Sequence, residues 1–246
     1  MRINRLYTDC KLDPEQQVQL SGKRVHYLQR VLRLGKEDSI VLFNGDGFDY
    51  AATINSIDRD SALIKVSARL PAVGESPLEI SLVQAVTRGE RMDTSLQKAT
   101  ELGVSEIQPL MTERVEVKLS GKRLEKRMQH WHGVIISACE QSGRARVPVL
   151  HPPALLRDWL TTARPAQSRV LQPRADESLL SNLLPHQPVA LLIGPEGGFS
   201  DTEVLLMKAA GIMPVHFGPR ILRTETAGPA AVAAIQALVG DMGQHL

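Results

Sequence analysis

Two hydrophobic periods run through this chain, and the change between them divides it. In the first seventy residues apolar positions alternate with polar or small ones. Ser39–Phe43 is a short apolar run, Asn44–Gly47 reads Asn-Gly-Asp-Gly, and Phe48, Tyr50, Ala52 and Ile54 then recur at every second position. Asn-Gly and Asp-Gly favour the positive φ angles of a tight hairpin, and a period of two marks a half-buried strand. Asp58–Ser61 is a second turn and Ala62–Val66 a further strand. Short strands separated by turns predict a small β-barrel. Residues 22–34 break the alternation: Val25, Leu28, Val31 and Leu32 form one apolar stripe of a predicted helix. Pro71–Pro77 holds two prolines and a glycine and reads as the linker, giving units 1–72 and 73–246.

Beyond the linker, solid apolar runs alternate with helical spacing. Leu78–Val86, Ile107–Met111, Val170–Leu171, Val189–Ile193 and Val215–Phe217 read as strands. Met92–Leu102 reads as a helix closed by Gly103 at the C′ position. Leu124, Met128, Trp131, Ile135 and Ala138 recur on one face of a long helix. The last helix, Pro229–Val239, is apolar nearly all round, with Pro229 expected in its first turn and Thr226 as its N-cap. Strand–helix alternation predicts an α/β unit with a mostly parallel sheet covered on both faces. An open sheet of this kind binds ligands where neighbouring parallel strands end.

Composition narrows the chemistry. The chain has 246 residues, 43% of them hydrophobic, with a formal net charge of +2. That is enough apolar residue for packed cores but too little charge to imply nucleic-acid binding without local clusters. Cys10 and Cys139 lie far apart with no metal or redox spacing, as expected of reduced thiols. The stretch Met1–Tyr7 lacks a signal-peptide core, and no apolar run approaches the ~20 residues of a membrane span, so the expectation is a soluble cytoplasmic protein with no membrane and no metal. Neither an HExxH motif nor zinc-ligand spacing occurs among the histidines.

Candidate chemistry concentrates in two loops. Gly194-Pro-Glu-Gly-Gly198 follows an apolar strand and leads into Ser200–Glu203, a capping box that starts a helix. The glycines allow a ligand to approach the backbone, yet no lysine is present for a triphosphate and neither phosphate-loop pattern matches. Phe217–Ala227 is the second loop; Arg220, Arg223 and Glu225 crowd its end before an apolar helix, where desolvation would be costly unless they are paired. Arg88–Asp93 also follows a strand, and Glu140–Arg146 closes the long helix with two arginines. Basic residues recur elsewhere: Arg2 and Arg5; His26, Arg30 and Arg33 on one helical face; and Lys118, Lys122, Arg123, Lys126 and Arg127 against the single Glu125. Together they suggest a partly basic face able to contact phosphates.

In this order the blocks RVHYLQRVLRLGKED…VLFNGDG, RGERMD…QKATELGV, ACEQSGRARVP, LLIGPEGGFS and FGPRILRTETA resemble the ribosomal RNA small subunit methyltransferase E family of the SPOUT superfamily. The resemblance covers essentially the whole length. It implies an α/β fold with a C-terminal knotted (trefoil) SPOUT domain, an exception to the rule against knots, and an N-terminal PUA-like β-barrel for RNA. It also implies S-adenosyl-L-methionine as cofactor, an obligate homodimer, and methylation of N3 of one uridine of 16S rRNA in the small ribosomal subunit. By analogy Gln172, Gly194, Glu196, Gly197, Gly198, Phe217, Gly218, Ile221, Leu222 and Thr224 line the cofactor pocket. Arg2, Arg5, Arg30, Arg33, Arg88, Arg91 and Arg144 are the expected RNA contacts.

A sulfonium cofactor without phosphate suits a lysine-free backbone cradle. Uridine N3 titrates roughly two units above neutrality, so presenting it as the anion costs about 3 kcal/mol at pH 7. Arg223 is the expected stabiliser of the developing charge and Glu225 the expected proton acceptor, with Glu196 and Glu140 as rival bases. The competing readings are a ribose 2′-O-methyltransferase of the same superfamily and a non-catalytic RNA-binding protein.

Overall fold

The computed structural model of the chain describes residues 4–72, 75–117 and 119–243, so Arg2, Lys118 and linker residues Val73 and Gly74 lie outside the described residues. The chain forms two compact units: Met1–Glu75 with Cys139–Val147, and Ser76–Ala138 with Pro148–Leu246.

In the first unit the strands are β1 (Arg5–Tyr7), β2 (Gln17–Ser21), β3 (Ser39–Phe43), β4 (Phe48–Ile57) and β5 (Ser61–Pro71), with the short helix α1 (Lys23–His26) between β2 and β3. They make one sheet in the order β1-β3-β4-β5-β2, antiparallel except for β1 beside β3. The predicted hairpin joins β3 to β4: Gly45 and Gly47 take φ of 92° and 93°, and the Asp46 and Phe48 N–H groups donate to the side chains of Asn44 and Asp46. Alternation places Tyr50, Ala52, Ile54, Ile64 and Val66 in the core with Val18, Leu20, Leu28 and Leu42. Phe48 begins the same alternation but is exposed, covered on one face by the Arg69 guanidinium 4.4 Å from its ring centre.

The apolar stripe of residues 22–34 is only partly realised. After α1 the backbone widens into a π turn, Tyr27–Val31, with the Leu32 N–H bonding the Tyr27 carbonyl. The wider turn shifts the phase, so Val25 and Leu28 are buried while Val31 is 63% exposed.

The second unit contains, in chain order, β6 (Ile80–Ala85), α2 (Glu90–Glu101), β7 (Glu106–Met111), α3 (Gly121–Ser142, whose last four residues belong to the first unit), β8 (Val149–Leu150), β9 (Ala154–Leu155) and α4 (Leu156–Trp159). It continues with β10 (Gln167–Leu171), β11 (Glu177–Ser178), β12 (Val189–Ile193), α5 (Asp201–Ala209), β13 (Met213–His216) and α6 (Thr224–Val239). The sheet order is β11-β13-β10-β12-β6-β7-β8, with β9 also beside β7, and every pairing is parallel. The five residues of β12 are all buried, as a central parallel strand covered on both faces requires. Gly103 closes α2 at φ 87°, as predicted.

The last helix departs from expectation at its start. It begins at Thr224 with Arg223 as N-cap, so Thr226 is not the cap and Pro229 lies inside the helix. Because Pro229 has no N–H, its turn forgoes one backbone hydrogen bond, and α6 is held instead by close packing. A Cβ on Gly228 would lie 3.3 Å from Gln84 Oε1 and 3.5 Å from Leu82, showing how nearly the helix backbone approaches β6. Farther along, the fully buried Gln236 donates to the Leu102 carbonyl and accepts from Ser76 Oγ, fixing α6 beside the end of α2.

Candidate functional site

Parallel pairing of the consecutive neighbours β13, β10, β12 and β6 puts their C-terminal ends on one edge. The loops leaving that edge are Phe217–Arg223, Gln172 onward, Gly194–Phe199 and Val86–Gly89. Arg91, in the first turn of α2 just beyond the Val86–Gly89 loop, reaches the glycine loop: its Nη1 donates to Glu196 Oε1 at 2.7 Å. Burial pulls this carboxyl upward, but the hydrogen bonds from its own backbone, Arg91 and Arg88 outweigh it and hold Glu196 below the usual carboxylate range. A carboxylate held in its ionised form in this way has less tendency to take up a proton.

The capping box of α5 forms as predicted: the Ser200 hydroxyl accepts from the Glu203 N–H at 3.1 Å and Glu203 Oε2 accepts from the Ser200 N–H at 2.9 Å. The other Glu203 oxygen accepts the Glu113 N–H at 2.8 Å, and Arg114 Nη1 donates to the Gly197 carbonyl at 2.6 Å. The loop after β7 therefore supports the glycine loop. Sequence reading missed Glu113 and Arg114; the Thr-Glu-Arg run directly after a strand was the available signal.

The glycines of the two loops serve different ends. A Cβ on Gly194 would meet the Phe199 ring at 3.1 Å, and one on Gly197 would meet the Arg114 side chain at 3.4 Å. Gly194 is bare because protein fills the space a side chain would need, whereas a Cβ at Gly197 would make only ordinary contact. Gly198 and Gly218 have φ of 68° and 72°, and a Cβ on either would stand in open space. Among the described residues nothing lies within 4 Å of either position, as also at Gly22, Gly89, Gly121 and Gly211, so the backbone there is open to a ligand. Of the other expected cofactor residues, Thr224 is buried in the first turn of α6, Gln172, Phe217 and Leu222 are half-buried, and Ile221 is 85% exposed.

Arg220 and Arg223 also lie exposed, so the desolvation cost inferred at the entrance to α6 does not arise. The Arg223 carbonyl accepts the Thr226 and Ala227 N–H groups, while Glu225 sits half-buried in the first turn of the helix. Glu140, the other rival base, lies in the first unit and accepts the Tyr7 N–H at 3.0 Å; burial raises its carboxyl against hydrogen-bonding and arginine charge.

Two of the expected RNA contacts are buried. Arg5 is only 8% exposed: it donates to the Cys139 carbonyl at 3.0 Å, pairs with Asp49 at 2.5 Å and stacks 4.6 Å from the Phe43 ring centre. Arg144 is 4% exposed and pairs with Glu75 at 3.0 Å. Desolvation favours both pairings, since a buried guanidinium needs its carboxylate. Arg30 and Arg33 are exposed beside the π turn, Arg88 is exposed and paired with Glu116, and Arg91 braces Glu196. His216 Nδ1 bonds the Ala175 carbonyl at 3.0 Å. Both cysteines are free, and burial pushes the Cys139 thiol up to about 12. Among the described residues there is no cluster of three or more His, Cys, Asp or Glu able to hold a metal, and no helix long and apolar enough to cross a membrane.

Comparison with known proteins matches residues 74–236 to an RNA methyltransferase domain and residues 20–67 to an RNA methyltransferase PUA domain. The ribosomal RNA small subunit methyltransferase E of Buchnera aphidicola (subsp. Schizaphis graminum) is 35% identical over 98% of both chains. A Legionella pneumophila methyltransferase solved with bound S-adenosylmethionine is 38% identical with a TM-score of 0.94, over 98% of this chain and 100% of that one. The ribosomal RNA small subunit methyltransferase E of Neisseria gonorrhoeae, solved with S-adenosylmethionine, is 37% identical with a TM-score of 0.92, again over 98% and 100%. With its parallel-sheet unit and its β-rich unit each matched in sequence and fold, the chain belongs to the ribosomal RNA small subunit methyltransferase E family.

Proposed function

We propose that this protein transfers the methyl group of S-adenosylmethionine to N3 of one uridine of 16S rRNA in the small ribosomal subunit. The observation that carries the reading is the similarity over 98% of the chain to methyltransferases solved with the cofactor, to which the open positions at Gly198 and Gly218, on the loops after β12 and β13, add backbone access on one edge of the sheet. When bound, the cofactor supplies an electrophilic methyl on a sulfonium. Gly194, Glu196, Gly197, Gly198, Phe217, Gly218, Ile221, Leu222, Thr224 and Gln172 are the residues that would hold it. Within that set Gly198 and Gly218 give backbone access, and Gly194 and Gly197 shape the loop through Phe199 and Arg114.

The reaction needs the N3 proton removed and the resulting charge on the base met by a donor. Arg223, exposed at the mouth of α6, is assigned to the charge, and Glu225, in the first helical turn at the same mouth, to the proton. Glu196, bonded to Arg91 and held below the usual carboxylate range, is the weaker candidate for the second role. In-line positioning then supplies most of the remaining acceleration. Exposed apolar residues on α5 and α6, Leu205, Leu206 and Leu238, support a homodimer, and the resemblance supports a trefoil knot in the C-terminal unit.

The test is transfer of labelled methyl groups from S-adenosylmethionine to small ribosomal subunits lacking the modification. Incorporation into small subunits, with none into large subunits, is expected. Cofactor binding without incorporation would place the substrate elsewhere, and absence of cofactor binding would leave a non-catalytic RNA-binding protein.

A further inference from the structure

A second opening lies beside the β6 strand end, apart from the glycine loops. It is a pocket of about 390 Å³ bordered by Thr87, Arg88, Glu116, Arg123, Arg127 and Trp131. That volume lies in the range of small-ligand sites. Three arginines face one carboxylate, and that carboxylate is paired with Arg88. Two of the lining residues carry unsatisfied polar atoms. Trp131 is 1% exposed and Thr87 4% exposed, yet among the described residues neither Trp131 Nε1 nor Thr87 Oγ1 has a hydrogen-bond partner. A buried donor without an acceptor is costly unless something else meets it.

The helix beside the pocket repeats the charge. Arg123, Arg127 and Trp131 are spaced i, i+4, i+8 on α3 and form the row that lines the pocket. The adjacent row, Lys122, Lys126 and His130, borders a shallower depression of about 430 Å³ that shares Arg123 and Arg127. His130 is fixed by a 2.7 Å contact with Asp93 Oδ2 at the start of α2. The two rows thus make one cationic track leading into a pocket whose wall holds two unmet hydrogen-bonding groups, both covered from water until a neighbouring side chain shifts.

We infer that this pocket receives one splayed-out nucleotide of the substrate RNA, its phosphate on Arg123 and Arg127 and its polar edge toward Thr87 Oγ1 and Trp131 Nε1, with the next phosphates along the Lys122–Lys126 row. Indole N–H donates only, which suits a phosphate or carbonyl oxygen, and a threonine hydroxyl both donates and accepts, which suits a base edge. RNA recognised through single strands presents these groups when its bases are unstacked. The inference rests on the proposed RNA-methylating activity and extends it to a site outside the cofactor loops.

The test uses the full chain and a fluorescein-labelled twelve-nucleotide oligouridylate, read by anisotropy across a potassium chloride series. The double substitution Arg123→Gln and Arg127→Gln should weaken binding at least tenfold. It should also flatten the slope of log affinity against log salt by roughly 0.7 for each phosphate that the variant no longer neutralises. Thr87→Val should weaken binding several-fold with the slope unchanged, because no charge is removed. S-adenosylmethionine affinity within twofold of the parent chain certifies that each variant is folded. Unchanged oligonucleotide affinity and slope in folded variants, while the parent chain methylates small subunits, would overturn this inference and leave the proposed activity standing. A parent chain that neither binds S-adenosylmethionine nor methylates subunits would remove the reading beneath it, and the inference with it.

Discussion

Arginine and carboxylate meet in both units of this protein, to opposite effect. In the N-terminal unit Arg5, Asp49, Arg144 and Glu75 are shielded from water and their charges are spent on one another and on carbonyl groups. At the strand ends of the second unit Arg88 and Arg91 pair with Glu116 and Glu196 at side chains about half exposed, and Arg223 stands at the surface. A buried pair loses its stability when one partner is removed, because the other charge is left without compensation. An exposed pair is worth little to the fold and remains free to rearrange around a ligand. The first region is built to hold shape; the second keeps its chemistry available.

The sharpest way to break this contrast is Arg5→Ala. Leaving Asp49 unpaired beside the core should lower unfolding stability by about 3 kcal/mol or more, seen as a large drop in the denaturant midpoint. Arg223→Ala should do the reverse. Its stability should change little, kcat should fall on the order of a hundredfold as one charge-stabilising donor is lost, and cofactor affinity should stay within a few-fold. Abolished cofactor binding would move Arg223 from the reaction to the pocket.

A smaller effect is expected at Gly198. With φ at 68°, alanine there incurs strain of roughly 1–2 kcal/mol and its methyl group enters the open space. Calorimetric titration should show cofactor affinity reduced about tenfold, whereas alanine at Gly35, which has negative φ and room, should leave it unchanged.

The smallest effect concerns pH. Glu140 has its carboxyl raised above the 4.5 of a free glutamate, chiefly by burial. The folded state therefore holds this proton more tightly than the unfolded chain does. Stability from this group is present below the unfolded value and lost as pH rises through the raised one. Glu140→Gln keeps an acceptor for the Tyr7 N–H and removes the charge, so it should raise Tm slightly at pH 7 and leave it unchanged near pH 4.

The strands and long helices were legible because their periods are strong: the alternation from Tyr50 to Ile54, the wholly apolar β12, and the Trp131–Ile135–Ala138 face all lie where expected. Local turn chemistry was legible too, in the Asn44–Gly47 hairpin and the Ser200–Glu203 box. What failed needed information that a linear pattern does not carry. Val31 left the core because a π turn altered the helical phase, and Pro229 was absorbed into α6 because the packing of Gly228 against β6 outweighs one missing hydrogen bond. The burial of Arg5 and Arg144 was not legible because their carboxylates, Asp49 and Glu75, lie 44 and 69 residues away. Gly198 takes the positive φ that its loop allowed, but which glycines lie against protein and which face open space appeared only in three dimensions.

Nucleoside analysis of the methylated product tests the account most directly. Small subunits labelled by this protein from S-adenosylmethionine would be digested to nucleosides and separated. The account predicts label in 3-methyluridine alone. Label in a 2′-O-methylated nucleoside would contradict it, placing the transferred methyl on ribose and leaving Glu225 without a base proton to accept.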